Sequence, residues 1–337
     1  MIKLRNTYSI GVLVMFYEIE MFKEYIDSCI QMTEGVENKE NVHFHFCWNQ
    51  SQYFENIDTD KITGTKLQKK FYKQMDRLKD AGIHNVHINE KHDTDDVYNI
   101  AGYRRDLNYN WCNKTDFVLW GETDSLWPKE TLQSIESVSE YASGQGINRF
   151  ILTFAYRKMW DDGWKPLEHV DMTDLPFIDT EEWNINAQES PKSYMTLETM
   201  NEINNRYDEL DIRILKEPKF DGSLLVMSSG LLQNGVNIPH SCHGCGEDAS
   251  FERMCKQIMG DSYIQIVVKN ILKVHNRVHP KKREYVVGEK HFENVKQKRK
   301  SNKLWQNFHK MCEHNLYRIG PNQEKFFNVT KELEKIK

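Results

Sequence analysis

Two acidic residues follow a short apolar segment near the middle of this 337-residue chain. The segment Asp116–Trp120 is typical of a buried strand, and Glu122 and Asp124 come just beyond its end. In open α/β sheets, ligands bind at the carboxyl ends of the strands. Carboxylates desolvated at such an edge need a cation or donors, and Mn²⁺ or Mg²⁺ held together with substrate phosphates would satisfy them. The pattern predicts a divalent-metal site, and the alternative is an exposed turn with two ordinary acids.

A second pair of acids, Glu247 and Asp248, follows two glycines and precedes a helix expected from about Ala249 to Met259. The glycines allow the backbone to approach a neighbouring group closely. Acids in a first helical turn are also favoured by the helix dipole alone. The pair therefore fits either a general base or plain helix capping.

Histidines and cysteines near the end of the predicted core could also bind metal. His275 and His279 follow a strand that we expect beyond Ile264, and a neutral imidazole there could ligate a cation. Cys242 and Cys245 have the spacing of zinc ligands. His240 or His243 could be a third ligand beside them. A closed zinc site needs four ligands, however, and the sequence has no second Cys-x-x-Cys to complete it. Structural zinc is the competing interpretation of this segment.

The elements that must position these residues alternate between strands and helices, which predicts an α/β fold with a mixed, mostly parallel sheet flanked by helices. The expected strands are 8–16, 41–48, 84–88, 116–120 and 151–156. The expected helices between and after them are 21–32, 66–79, 97–111, 197–207 and 249–259. Residues 212–232 are expected to form a strand–turn–strand region.

Charge is distributed unevenly along the chain. The net charge is −5, but residues 269–310 carry 13 Lys and Arg against three acids, while residues 161–217 carry 15 acids against five bases. Such a basic segment can bind polyanions or form a solvated surface. With 39% hydrophobic residues the chain can bury a core. Seven scattered cysteines, and the lack of an apolar run long enough for a membrane span or of a secretory signal, predict a cytoplasmic protein.

In this order, the segments resemble the inverting, metal-dependent glycosyltransferases of the GT-A fold, in particular family 2 and its relatives. The first strand and donor-binding turn are matched by 10–18, the segment that contacts the nucleotide base by 44–51, and the Ala-Arg-Asn-like helix by 100–108. Glu122-Thr123-Asp124 is similar to the Asp-x-Asp motif, with Glu in place of its first acid. Asn49 stands where the family usually has an acid. The resemblance covers about residues 8–280.

The resemblance implies a role for each matched residue. Asp124, Glu122 and His275 would hold Mn²⁺ or Mg²⁺, with His279 as the substitute for His275. The nucleotide-diphosphate sugar, for which we favour a UDP-sugar, would be contacted by Phe16, Tyr17, Glu18, Asn49, Arg104, Arg105, Glu122 and Thr123. Asp248 would be the general base, and Glu247 would bind acceptor or sugar hydroxyls.

The charge distribution and the resemblance together suggest a domain organisation and an acceptor. We expect a GT-A-like catalytic domain over 1–265, including an acidic insertion at 158–210, and a basic C-terminal segment over 266–337 that packs on it. The acceptor is expected to be a hydroxymethylated pyrimidine in DNA, as for some bacteriophage enzymes, with the DNA or acceptor contacted by Lys281, Lys282, Arg283 and His243. The alternatives are a saccharide or surface-glycan acceptor, or a nucleic-acid-binding protein without catalysis.

Overall fold

In the computed structural model of the protein, the residues that the structure describes are 1–15, 18–49, 64–91, 98–159, 164–166, 195–206, 208–215, 218, 220, 222–244, 246–276, 303–317 and 324–336. Phe16, Tyr17, His279, Lys281, Lys282, Arg283 and Cys245 lie outside these residues. Most of the expected acidic insertion also lies outside them.

Within the described residues, ten strands form a single sheet. They are β1 Tyr8–Met15, β2 Val42–Asn49, β3 Val86–Lys91, β4 Phe117–Trp120, β5 Ser125–Leu126, β6 Phe150–Met159, β7 Trp164–Pro166, β8 Ile212–Ile214, β9 Leu225–Ser228 and β10 Ile264–His275. The strand order is β3-β2-β1-β4-β9-β6-β10-β5, while β7 pairs with β6 and β8 pairs with β10.

Most of this sheet is parallel. β1 pairs in parallel with β2 and β4, β2 with β3, and β6 with β10. β9 runs antiparallel between β4 and β6, and the short strands β5, β7 and β8 also pair antiparallel with their neighbours. This arrangement confirms the predicted fold class, and it places the carboxyl ends of β1, β4, β6 and β10 at one edge.

The described helices are α1 Ile19–Glu34, α2 Gly64–Asp80, α3 Ile100–Trp111, α4 Thr131–Gly144, α5 Leu197–Asn204, α6 Ser229–Leu232, α7 Glu247–Met259, α8 Lys303–Tyr317 and α9 Val329–Ile336. In this part of the chain, no helix is both long and apolar enough to cross a membrane.

Both faces of the sheet are buried. Side chains alternate between the two faces along each strand, and each set packs into its own core. Phe117 and Leu119 of β4 belong to the core that also contains Phe22 of α1. Val118 and Trp120 belong to a second core, on the other face, that contains Phe251 of α7. A strand that is buried on both faces is a near-continuous apolar run, which is how β4 was predicted from sequence.

Two expectations differ from the observed topology. Residues 212–232 contain β8 and β9, but these strands do not pair with each other, since β8 joins β10 and β9 joins β4 and β6. The sheet also extends beyond the expected domain boundary at 265, because β10 is paired with β6 from Ile264 to His275. The division into two domains stays a prediction.

Candidate functional site

Glu122 and Asp124 lie where the chain leaves β4 at the carboxyl edge of the sheet. The Asp124 side chain is only 6% exposed and that of Glu122 is 22% exposed, so neither belongs to a freely solvated turn. The chain turns tightly here, as the Ser125 amide donates to the Glu122 carbonyl over 3.0 Å. β5 begins at Ser125 and directs the chain across the sheet edge.

β5 brings the two acids to His275. It pairs antiparallel with the end of β10, with Ser125 opposite His275. The Asn276 amide then donates to the Asp124 carbonyl over 2.6 Å. As a result, His275 Nε2 lies 3.0 Å from a carboxylate oxygen of Glu122 and 3.4 Å from one of Asp124. Backbone pairing therefore positions all three side chains.

These three side chains fit a divalent cation. One ligand atom from each of Glu122, Asp124 and His275 lies within 4.8 Å of the others, and in the described part of the chain this is the one such group of His, Cys, Asp or Glu. Ligand atoms about 2.1 Å from an octahedral ion would be separated by about 3 to 4 Å, so small shifts would suffice. Two carboxylates and an imidazole suit Mn²⁺, and Mg²⁺ would use mainly the oxygens.

Arg104 of α3 links this group to the second pair of acids. Its guanidinium donates to Glu122 and to Glu247, each over 2.7 Å, and to the Gly222 carbonyl over 2.6 Å. It also lies over the ring of Trp120, 4.7 Å from the centroid. The side chain is 1% exposed. A buried cation in this geometry holds carboxylates from two separate elements at fixed positions.

Glu247 and Asp248 occupy the first turn of α7. The preceding Gly246 has φ 80°, a left-handed conformation that glycine adopts readily. Asp248 accepts from the Ala249 amide over 2.8 Å, and its other oxygen lies 3.4 Å from the Gly222 amide. Asp248 is half-buried, so part of its side chain remains accessible to solvent.

The two glutamates bound by Arg104 have opposite shifts in pKa. Burial raises the pKa of Glu122, but the charges of His275 and Arg104 outweigh it and lower the pKa to about 2. Burial raises the pKa of Glu247 to about 7, where Arg104 opposes the shift and Asp248 adds to it. Of these two glutamates, Glu122 is therefore the more fully ionised at neutral pH.

Other residues predicted to bind the donor lie along the same edge of the sheet. Thr123 donates to Glu18 over 2.6 Å, at the start of α1, and both side chains are buried. Asn49, at the end of β2, is also buried and donates to the Tyr98 carbonyl over 2.9 Å. Their contacts with a nucleotide stay a prediction.

Arg105 and His243 lie in a different environment. Arg105 donates to the carbonyl oxygens of Ile238, Pro239 and Cys242 over 2.6 to 3.0 Å. His243 lies 2.9 Å from a carboxylate oxygen of Glu324. Arg105 thus supports the loop before α7, and of the two adjacent arginines it is Arg104 that contacts the acids.

The zinc interpretation gains no support from Cys242. Its thiol is buried, and burial raises its pKa to about 11. Among the described residues, no group of three potential metal ligands includes Cys242. The second cysteine of the pair, Cys245, lies outside the described residues.

Three residues of the site were not identified from the sequence. Gly222 touches both Arg104 and Asp248, Lys273 of β10 is fully buried, and Asn276 joins the Asp124 segment. The signal for Lys273 was present in the sequence. In a strand, residues two apart share a face, so a lysine two residues before His275 is directed to the same side of the sheet.

A cavity of about 630 Å³ lies elsewhere, between α1, α2 and α5. Asp27, Arg77 and Glu198 are among the residues that line it, and it contains none of the candidate site residues.

Known proteins resemble this chain in fold but not detectably in sequence. No protein-family model matches the chain, and no curated protein matches it. Among solved structures, the fold is similar to the mannosyltransferase PcManGT from Pyrobaculum calidifontis, solved with GDP-Man and Mn²⁺. The TM-score is 0.46 and the identity 13%, over 81% of this chain and 57% of that one.

Two further structures are similar at the same level. S. aureus TarS in complex with UDP-GlcNAc gives a TM-score of 0.44 and 12% identity, over 94% of this chain and 77% of the other. GalNAc-T7 with UDP, GalNAc and Mn²⁺ gives a TM-score of 0.44 and 8% identity, over 98% of this chain and 54% of the other. The chain thus spans little more than half the length of the mannosyltransferase and GalNAc-T7 chains.

Proposed function

We propose that the protein is a metal-dependent glycosyltransferase, which moves a sugar from a nucleotide-diphosphate sugar to an acceptor hydroxyl. The observation that carries the proposal is the convergence of Glu122, Asp124 and His275 at the carboxyl edge of the sheet. Arg104 ties this group to the acids that begin α7. An ordinary surface turn needs neither buried acids nor a buried arginine shared between two elements.

In this proposal, one group of residues binds the metal and the donor, and a second group binds and activates the acceptor. Glu122, Asp124 and His275 would hold Mn²⁺ or Mg²⁺, which supplies positive charge to the departing diphosphate. Arg104 keeps Glu122 ionised and in place. Glu18, Thr123 and Asn49 line the edge where the nucleotide would lie. We favour a UDP-sugar as the donor.

Asp248 is the general base in this proposal. A carboxylate oxygen of Asp248 takes the proton of the acceptor hydroxyl, whose oxygen attacks the anomeric carbon as the bond to the diphosphate breaks. Attack from the opposite face inverts the configuration at that carbon. Glu247 is bound to Arg104 through one carboxylate oxygen, and its other oxygen can accept from an acceptor or sugar hydroxyl.

The experiment that tests the proposal is donor turnover by the purified protein. We expect release of nucleoside diphosphate from UDP- or GDP-sugars with Mn²⁺, and its loss when EDTA removes the metal. A protein that shows neither release nor a metal-dependent thermal shift with any nucleotide sugar would rule the function out.

For the acceptor, we propose hydroxymethylated pyrimidine in DNA, with a saccharide as the alternative. The support is the local charge of the 269–310 segment, which suits a phosphate backbone. A nucleic-acid-binding protein without catalysis would also use this segment, but it would leave the acids of the sheet edge without a role.

Charge reversal separates these acceptors. Changing Lys281, Lys282 and Arg283 to Glu should abolish transfer to DNA while donor hydrolysis continues. The matched control changes Lys66, Lys69 and Lys73, which are exposed on α2, in the same way. Transfer to DNA that survives the first triple change, or is lost equally in the control, would contradict a DNA-binding role for the basic segment.

A further inference from the structure

Lys273 is a fully buried lysine in the strand that ends at His275. Its ammonium group donates to the carbonyl oxygen of Ser223. Burying an ammonium group costs free energy unless its hydrogen bonds are replaced, and an apolar side chain could fill the same space without that cost. The position of this lysine therefore calls for a reason beyond packing.

The segment that Lys273 contacts, Gly222 to Leu224, joins the two sides of the candidate site. The Gly222 carbonyl accepts from Arg104, and the Gly222 amide faces Asp248. There is no room for a side chain at this position, because a Cβ on Gly222 would lie 2.4 Å from Nη1 of Arg104 and 3.3 Å from Cβ of Asp248. A small shift of this turn would move both residues.

The turn also contains an unfavourable backbone conformation. Leu224 has φ 49°, and among the described residues it is the one non-glycine residue with positive φ. Its side chain is fully buried in the core on the α1 side of the sheet. Left-handed conformations of L-residues persist only where the surroundings hold them, and they cluster at functional sites. The Lys273 contact, on the residue directly before Leu224, is one such restraint.

We propose that Lys273 is a positioning residue, which fixes the turn from Gly222 to Leu224 and through it the placement of Asp248 and Arg104. The inference rests on the proposed function, and it adds a residue that neither holds the metal nor touches the reacting atoms. Lys273 and His275 both lie at the end of β10. This strand therefore positions the proposed metal ligand His275 directly and the proposed base Asp248 through the turn.

The test compares Lys273→Met with Lys269→Met. Lys269 is an equally buried lysine of the same strand, four residues earlier at the β-bulge, where its backbone amide donates to Asp211. Hydrogen exchange over 220–228 and the first turn of α7 is measured together with kcat, KM for the donor and Mn²⁺ affinity.

Lys273→Met should speed exchange in the 220–228 peptide and in the first turn of α7 by about tenfold, since local protection follows the stability of local structure. It should lower kcat by about tenfold or more while KM and Mn²⁺ affinity change little, because misplacement of the base affects the chemical step. Lys269→Met should change neither, and Lys273→Arg should restore part of kcat.

Unchanged exchange and kcat in Lys273→Met, or equal losses in Lys269→Met, would overturn the proposal. If Lys273→Met does not fold, Lys273→Arg decides, since faster exchange in the 220–228 peptide with kcat equal to wild type would contradict a positioning role. Faster exchange in a protein without turnover on any nucleotide sugar would instead refute the proposed function and leave the restraint on the turn established.

Discussion

The two sides of the candidate cleft are built in different ways. On the metal side, Glu122, Asp124 and His275 follow strand ends, and the pairing of β5 with β10 sets their spacing. On the acceptor side, Glu247 and Asp248 begin a helix that follows a loop. Strand pairing fixes the first side through the backbone, whereas the second depends on side-chain contacts.

The contacts on the acceptor side can be traced individually. Arg105 binds three carbonyl oxygens of the loop before α7. Gly244 packs so closely on α8 that a Cβ there would lie 2.8 Å from Phe308. Arg104 connects the two sides, because it is paired with both Glu122 and Glu247. We therefore expect substitutions on the acceptor side to alter turnover without altering metal binding, and the predictions below test that difference.

The largest effect should come from Asp248→Asn. Loss of a general base typically lowers the rate by about 10² to 10⁴-fold, so kcat should fall by that factor while Mn²⁺ and nucleotide affinity stay close to wild type. Steady-state kinetics and calorimetry on the same preparation provide the measurement. The control is Glu252→Gln, which removes a half-buried carboxylate, paired with Lys256, from the same helix. Retained kcat in Asp248→Asn would assign the base elsewhere.

Substitution of each arginine should show which of the two contributes more to the stability of the fold. Arg104 connects the two sides of the site, whereas Arg105 supports only the loop before α7. Arg104→Gln leaves buried acids without their cation and should cost about 3 to 5 kcal/mol of unfolding free energy. Arg105→Gln loses hydrogen bonds to the loop and should cost about 1 to 3 kcal/mol. Urea denaturation measures both, and an Arg105→Gln cost equal to or greater than that of Arg104→Gln would contradict the assignment.

The smallest effect concerns pH and Glu247. Its pKa is raised from 4.5 to about 7, chiefly by burial, so the native state binds more protons than the unfolded state between these values. Stability from this group is complete below pH 4.5 and is lost as pH rises towards 7.

Glu247→Gln should therefore gain stability relative to wild type across this range, by about 2 kcal/mol in metal-free buffer. Denaturation at a series of pH values measures the difference, with Glu252→Gln as the control. A constant difference between pH 4.5 and 7 would mean that Glu247 titrates normally.

The sequence predicted the positions of the acids at the strand end better than the contacts of the acids that begin α7, for a physical reason. An apolar run such as β4 marks a strand, and whatever follows it must lie at a sheet edge, so Glu122 and Asp124 could be placed from local pattern alone. The predicted start of α7 at Ala249 was close to the observed Glu247 for similar reasons. Local spacing carries this information.

Contacts between distant segments could not be predicted in this way. Which of Arg104 and Arg105 faces the cleft depends on the rotation of α3, and the sequence left both open. The insertion of β9 between β4 and β6, and hence the position of Gly222 against Arg104, depends on pairing between distant segments. The burial of Lys273 follows from the same long-range pairing.

The most direct test of the central claim is Mn²⁺ binding by calorimetry, with and without UDP. We predict that the wild-type protein binds Mn²⁺ and that Asp124→Asn and His275→Ala each weaken binding by about 10 to 100-fold or more, since loss of even a supporting group costs that much. Asp261→Asn, which changes an exposed aspartate in the turn before β10, should bind as wild type does. Equal Mn²⁺ affinity in wild type and Asp124→Asn would contradict the account.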